Sequence, residues 1–168
     1  MDYFSTFIQT LRARRFSDNT IRVYSTYIKP YLSYLDALQI APENASYQTM
    51  RNYLDWIQSE RRLSDRTINM IISYLQFFQT YVLHKEWDKT QIPFRAFPTY
   101  LPYAPSPDEV KRFLLATEKP KVRLAISMLY ATGMRLDELC HLRCADIIHS
   151  SMKIYIRHSK ITAIVMSR

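Results

Sequence analysis

Residues 129–142 read Leu-Tyr-Ala-Thr-Gly-Met-Arg-Leu-Asp-Glu-Leu-Cys-His-Leu, and they contain the chain's only glycine, Gly133. The apolar positions Val122, Ala125, Ile126, Leu129 and Tyr130 recur at helical spacing before it. Gly133 is therefore placed to end that helix in the left-handed conformation that a side chain resists. Arg135 then begins a short helix, with Leu136, Leu139 and Leu142 predicted to face inward. A helix start offers unpaired N–H groups and the positive end of the dipole, both favourable to an anion. A guanidinium adds a planar fork that can grip two phosphate oxygens at once. Asp137 and Glu138 are near enough in sequence for one of them to orient it. The competing reading is a surface arginine beside two acids on a solvated helix.

On the C-terminal side, Met152-Lys153-Ile154-Tyr155-Ile156-Arg157 alternates apolar and polar residues, the pattern of a half-buried strand. On the N-terminal side, Ser106-Pro107-Asp108-Glu109 forms a capping-box signature with proline at the first helical position. The helix it opens is expected to bury Val110, Phe113 and Leu114. Before it, Pro93, Pro98, Pro102, Pro105 and Pro107 crowd one segment. Proline at that density removes backbone donors and forbids continuous helix, so residues 85–105 read as an extended linker.

Residues 1–84 read as four helices. Phe4, Phe7, Ile8 and Leu11 stripe the first; Ile21, Tyr24, Ile28, Leu32 and Leu35 stripe the second, with a kink or break expected at Pro30. The third begins near Ser46 and carries Met50, Tyr53, Leu54 and Ile57. The fourth begins at Ser64 and carries Ile68, Ile71, Ile72, Leu75, Phe78 and Val82. Ser17-Asp18-Asn19-Thr20-Ile21 recurs as Ser64-Asp65-Arg66-Thr67-Ile68, and each copy follows a basic segment, Arg12 to Arg15 or Arg61-Arg62. Two readings stay open: two similar helix starts arising by chance, or two helical hairpins presenting basic loops to one ligand.

Composition narrows the function classes. One glycine in 168 residues, where average usage gives about 12, excludes Gly-rich nucleotide loops and Gly-rich hairpin sheets. An apolar content of 48% supports a folded core. No apolar run reaches the ~18 residues of a membrane span, and the N-terminus has no signal-peptide pattern. A soluble cytoplasmic protein without a membrane partner is expected. The net charge of +8 divides unevenly: 9 Lys and Arg against 7 Asp and Glu in residues 1–84, and 14 against 8 in residues 85–168. Cys140-His141-Leu142-Arg143-Cys144 falls short of a closed ligand set, so neither a metal nor a cofactor is expected. Tyr24, Tyr27, Tyr31 and Tyr34 follow helical spacing and read as packing residues in preference to base-stacking ones.

The segment Leu129 to Leu139, followed by Leu142 and Asp146-Ile147, closely resembles the first catalytic-arginine motif of tyrosine recombinases, the phage integrase family. Ser106 to Val110 resembles the opening helix of the same catalytic domain. Residues 1–84, down to Thr20, Ile21 and Tyr24, resemble the family's helical core-binding domain. The resemblance implies a mainly α fold: a four-helix, SAM-like core-binding domain at 1–84, a linker at 85–105, and the N-terminal part of an α+β catalytic domain with a short β-hairpin at 106–168. It implies that Arg135 neutralises the scissile phosphate, that Glu138 is its supporting acid, and that Lys160 matches the hairpin lysine proposed to protonate the leaving 5′-oxygen. It implies double-stranded DNA as partner, clamped by the two domains, with a second copy or a full-length recombinase on the same DNA. Arg12, Arg14, Arg15, Arg61, Arg62 and Arg66 are the candidate phosphate contacts in the helical part.

The sequence also departs from the family. No His-x-x-Arg occurs in it, and none of its 13 tyrosines holds the nucleophile position. Residues 161–168, Ile-Thr-Ala-Ile-Val-Met-Ser-Arg, replace the expected polar turn and Val-Pro strand. The expectation is a truncated or frameshifted recombinase, inactive alone, tested by the downstream nucleotide sequence. Two other functions compete: a non-enzymatic DNA binder or interfering regulator of a full-length recombinase, and a helical interaction module without a nucleic-acid role.

Overall fold

A carboxylate and three serine hydroxyls start the first four helices. The computed structural model describes residues 2–151 and 153–156, and residues 164–166 as a strand. Helix α1 (Tyr3–Ala13) begins behind Asp2, whose side chain accepts the N–H groups of Phe4 and Ser5. Helices α2 (Asp18–Ala37), α3 (Tyr47–Arg61) and α4 (Asp65–Tyr81) begin behind Ser17, Ser46 and Ser64. Each serine Oγ accepts the N–H of a threonine three residues on, Thr20, Thr49 or Thr67, and also meets that threonine's hydroxyl. The repeat read at Ser17 and Ser64 is thus used a third time at Ser46.

The helix ends share a second device. Arg15, Gln39, Arg62 and His84 adopt left-handed φ values of 59°, 57°, 49° and 53°. Beyond each, a backbone N–H reaches back to close the helix: Phe16 to Leu11 at 3.1 Å, Ile40 to Leu35 at 3.0 Å, Leu63 to Gln58 at 3.1 Å and Lys85 to Gln79 at 3.0 Å. Phe16, Ile40 and Leu63 then tuck against the core.

The four helices enclose one apolar core. Phe7 lies within 5.9–6.3 Å of the rings of Tyr24, Phe77 and Phe78, and Tyr53 donates its hydroxyl to the Tyr27 carbonyl at 3.0 Å. Every apolar residue expected to line the inner faces of α3 and α4 is buried. On α2 the buried set is Ile21, Ile28, Tyr31 and Leu35. The break expected at Pro30 does not occur: α2 continues through it. One backbone donor is lost there, but Ile28 and Tyr31 on either side are buried and hold the helix to the core.

The chain divides into two units, Met1–Tyr100 and Leu101–Arg168. Much of the segment read as linker therefore belongs to the helical unit. Ile92 is buried, and Arg51 donates to the Gln91 carbonyl at 2.8 Å. The Asn69 amide pairs with both backbone groups of Arg95, at 2.9 and 2.8 Å. The Arg95 guanidinium meets Asp55 at 2.9 Å, Asp65 at 3.4 Å and the Gln58 side chain. Side chains of α3 and α4 substitute for the donors that proline removes, and residues 85–97 become a strap.

In the second unit α5 (Pro107–Ala116) opens with the expected capping box: Ser106 N–H donates to Glu109 at 2.8 Å, and Glu109 N–H to Ser106 Oγ at 3.4 Å. Helix α6 (Pro120–Thr132) and the short α7 (Leu136–Cys140) follow. Strands β1 (Ile147–Ile148), β2 (Lys153–Tyr155) and β3 (Ile164–Met166) form an antiparallel sheet in that order, pairing Ile147 with Ile154 and Ile154 with Val165. The helical stripes are less buried than their periodicity implies. Phe113, Val122, Tyr130 and Leu136 are exposed, while Leu114, Ala125, Ile126, Leu129, Leu139 and Leu142 are half-buried. Among the described residues of this unit only Val110, Met134 and Ile156 are buried apolar groups. An apolar stripe is buried only where an element faces it, and these faces lack one among the described residues. Met152 lies outside those residues.

Gln39→Gly is expected to raise stability by about 0.5–1 kcal/mol, the left-handed cost relieved less the entropy that glycine loses on folding. Trp56 and Trp87, the chain's two tryptophans, both lie in the helical unit, so the urea midpoint of their fluorescence measures it. For the strap, Arg95→Ala is expected to speed tryptic cleavage after Lys89 by about tenfold for each ~1.4 kcal/mol of anchoring lost. Unchanged cleavage kinetics would show that Asn69 and Ile92 hold the strap alone.

Candidate functional site

Gly133 caps α6 at φ 65°, with its N–H on the Leu129 carbonyl at 2.9 Å. A Cβ there would meet nothing within 4 Å, so the left-handed φ, not space, is what calls for glycine. Buried Met134 anchors the turn, and Arg135 takes the N-cap position of α7. Sequence left two acids as candidates to orient it, and the geometry selects Glu138. Its carboxylate accepts the Arg135 backbone N–H at 2.8 Å and the guanidinium Nη1 at 3.0 Å. An acid three residues after the N-cap can reach back to it; one two residues after cannot. Asp137 turns outward toward His141, 3.6 Å away.

The side chain of Glu138 is 8% exposed and that of Arg135 78%. A buried acid thus fixes the root and one edge of a guanidinium whose remaining donors face solvent, an arrangement fitted to receive an anion in one orientation. Asp146 repeats the backbone half of this device, accepting the Arg143 N–H at 3.0 Å while buried. Lys160 lies outside the described residues.

The six candidate arginines of the helical unit, Arg12, Arg14, Arg15, Arg61, Arg62 and Arg66, are all exposed, and none has a side-chain hydrogen bond or ion pair among the described residues. By contrast Arg22, Arg51 and Arg95 are tied to neighbouring side chains or carbonyls. Arg15 and Arg62 are the left-handed residues that end α1 and α3. The two basic loops do not converge on one patch. Arg14 lies over the ring of Tyr81, the last residue of α4, at 4.1 Å, whereas Arg66 lies in the first turn of α4. Fifteen residues of helix separate positions 66 and 81, about 22 Å at 1.5 Å per residue. Arg66 has its own aromatic neighbour, Phe97 at 5.2 Å. Neither pairing had a local sequence signal.

The tyrosines of α2 pack as expected: Tyr31 is buried, and Tyr24, Tyr27 and Tyr34 lie against the core. Burial pushes the phenols of Tyr24, Tyr31, Tyr53 and Tyr74 above the ordinary tyrosine range, away from the phenolate a nucleophile requires. Cys140 and Cys144 are exposed free thiols, and among the described residues no cluster of three His, Cys, Asp or Glu could hold a metal. No described helix is long and apolar enough to cross a membrane.

Residues 3–89 match the family described as phage integrase, N-terminal SAM-like domain. Tyrosine recombinase XerA of Pyrococcus furiosus is 31% identical over 136 residues, 78% of this chain and 43% of that protein. Tyrosine recombinase XerD of Rickettsia bellii is 25% identical over 163 residues, 90% of this chain and 53% of that protein. A crystal structure of XerA recombinase aligns with 99% of this chain and 59% of its own at a TM-score of 0.49 and 24% identity. The chain spans about half the length of the curated relatives it matches.

Glu138→Ala is expected to destabilise the α7 turn by about 1–2 kcal/mol, the cost of a lost cap and a charged hydrogen bond. Hydrogen exchange at the Leu139 and His141 amides should then accelerate about five- to thirtyfold. Glu138→Gln keeps an acceptor for the Arg135 N–H and should lose less than half of that protection. Equal losses would place the contribution in the charge pair instead.

Proposed function

Because the chain belongs to the phage integrase family of tyrosine recombinases, we propose that it binds double-stranded DNA, with its helical unit holding phosphates and Arg135 presenting a fixed guanidinium to one of them. The observation that carries this reading is the display, at both ends of α4, of exposed arginines that have no ion-pair partner among the described residues. A small anion cannot touch cations about 22 Å apart. A duplex can, since that length carries about 13 phosphates at one per ~1.7 Å. Lone exposed cations also suit a ligand recognised mainly by its backbone charge.

In the family reaction a phosphate is attacked by tyrosine, and negative charge grows on its oxygens. Arg135 in its Glu138 cradle has the donors and orientation to stabilise that charge. Lys160 is proposed as the leaving-group acid on the resemblance of its segment. The family's nucleophile step calls for a His-x-x-Arg segment and a tyrosine placed after it, and no His-x-x-Arg occurs in these 168 residues. The 168-residue polypeptide is therefore proposed to bind DNA without forming a phosphotyrosine, which favours a DNA-binding or interfering role over strand exchange by this polypeptide alone.

A gel-shift titration tests the proposal. Contacts from four to six arginines give a slope of log K against log salt of about −4 to −5; a flat slope would support the interaction-module alternative. Arg135→Ala should weaken binding by less than about tenfold, since one exposed ion-pair contact contributes about 1 kcal/mol or less. A nicked suicide duplex should trap no covalent protein–DNA species, and any such species would overturn the non-catalytic assignment.

A further inference from the structure

We infer that Tyr81 and Phe97 are positioning residues for nucleic-acid binding, each holding an arginine guanidinium over its ring at one end of α4. The inference rests on the DNA-binding reading and goes beyond it, because neither aromatic residue carries charge or belongs to a basic segment.

Arg14 sits 4.1 Å from the Tyr81 ring centroid and 6.0 Å from that of Phe77. Tyr81 is itself steadied by Phe77, centroid to centroid 4.8 Å, and Phe77 is buried with Phe7, Phe16 and Tyr24 around it. The stack therefore runs from the core to the surface: buried Phe77, half-exposed Tyr81, exposed Arg14. At the other end, Arg66 lies 5.2 Å from Phe97, which follows the strap pinned by Arg95.

A guanidinium held over a ring by cation–π attraction is restrained without occupying a hydrogen-bond acceptor, so N–H donors remain for a phosphate. Neither guanidinium has a hydrogen-bond or ion-pair partner among the described residues, so the rings restrict the side chains without consuming what a phosphate needs. A free arginine loses rotamer freedom when it grips a phosphate; one already stacked has lost part of it in the unbound protein. The two stacks stand about 22 Å apart along α4, so each fixes one end of the cationic span.

The test uses the full chain and a random-sequence duplex, with affinity read by fluorescence anisotropy across a salt series. Tyr81→Leu and Phe97→Leu are each expected to weaken binding about two- to fivefold, as a surface cation–π contact predicts. Tyr81→Phe keeps the ring and should bind within twofold of the parent. With Arg14→Ala already present, Tyr81→Leu should cause no further loss, and likewise Phe97→Leu with Arg66→Ala. Additive losses, an equal defect in Tyr81→Phe, or undiminished binding by both leucine variants would overturn the inference while leaving DNA binding intact. A parent chain with no salt-dependent affinity would overturn both. Phe97 lies outside any helix, so its pair carries the test where Tyr81→Leu fails to give the parent's circular dichroism.

Discussion

A chain with one glycine must still turn between helices, and the left-handed residue that ends α1, α2, α3, α4 and α6 is the constraint on which the rest of the structure depends. Gly133 takes that conformation freely; Arg15, Gln39, Arg62 and His84 take it with a Cβ, at roughly 1–2 kcal/mol each. The opposing contribution is packing. A buried side chain such as Phe7 or Ile71 supplies about 1.5–3 kcal/mol, and the closures seat Phe16, Ile40 and Leu63 against the same core. Tight closure also sets the next helix start: Ser17 follows Arg15 by two residues, and Ser64 follows Arg62 by two. At two of these turns the strained residue is an arginine at the exposed tip of a loop. The device that turns the chain thereby places charge at the surface.

What was legible in the sequence was local. Caps at Ser17, Ser64 and Ser106, the stripes of α3 and α4, and the role of Gly133 are written within one helical turn of each residue, where spacing determines geometry. Long-range partners leave no such trace. Arg95 looks like one more charge in a proline-rich stretch, yet its partners Asp55, Gln58, Asp65 and Asn69 sit on α3 and α4. Tyr81 stacks on an arginine 67 residues earlier in the chain. The over-read burial of Phe113, Val122 and Leu136 has a related cause. Periodicity tells which side of a helix is apolar, while burial requires a second surface that the pattern of one helix cannot name.

The two units consequently hold their candidate arginines by different means. The helical unit has a continuous core, to which Arg14 is joined through Tyr81 and Phe77, while Arg15 and Arg62 sit at the turns that close α1 and α3. The second unit has few buried apolar side chains among its described residues. Arg135 owes its placement to short-range contacts: the Gly133 cap, the Met134 anchor and the two hydrogen bonds to Glu138. The two hydrogen bonds and the glycine cap close within one turn, so spacing along the chain determines much of this arginine's geometry.

That difference separates affinity from geometry in the proposed role. Exposed arginines near the two ends of α4 act at high dielectric, each adding a small, salt-screened attraction that sums over many phosphates and is indifferent to which phosphate is met. Arg135 adds little to such a sum, because Glu138 already offsets part of its charge. The same carboxylate, buried and doubly bonded, fixes the guanidinium in one orientation before any ligand arrives. A donor that need not reorganise is worth most where charge develops on a single phosphate and least in holding a long duplex. The acid that weakens Arg135 as a magnet for DNA is therefore what suits it to one phosphate in particular.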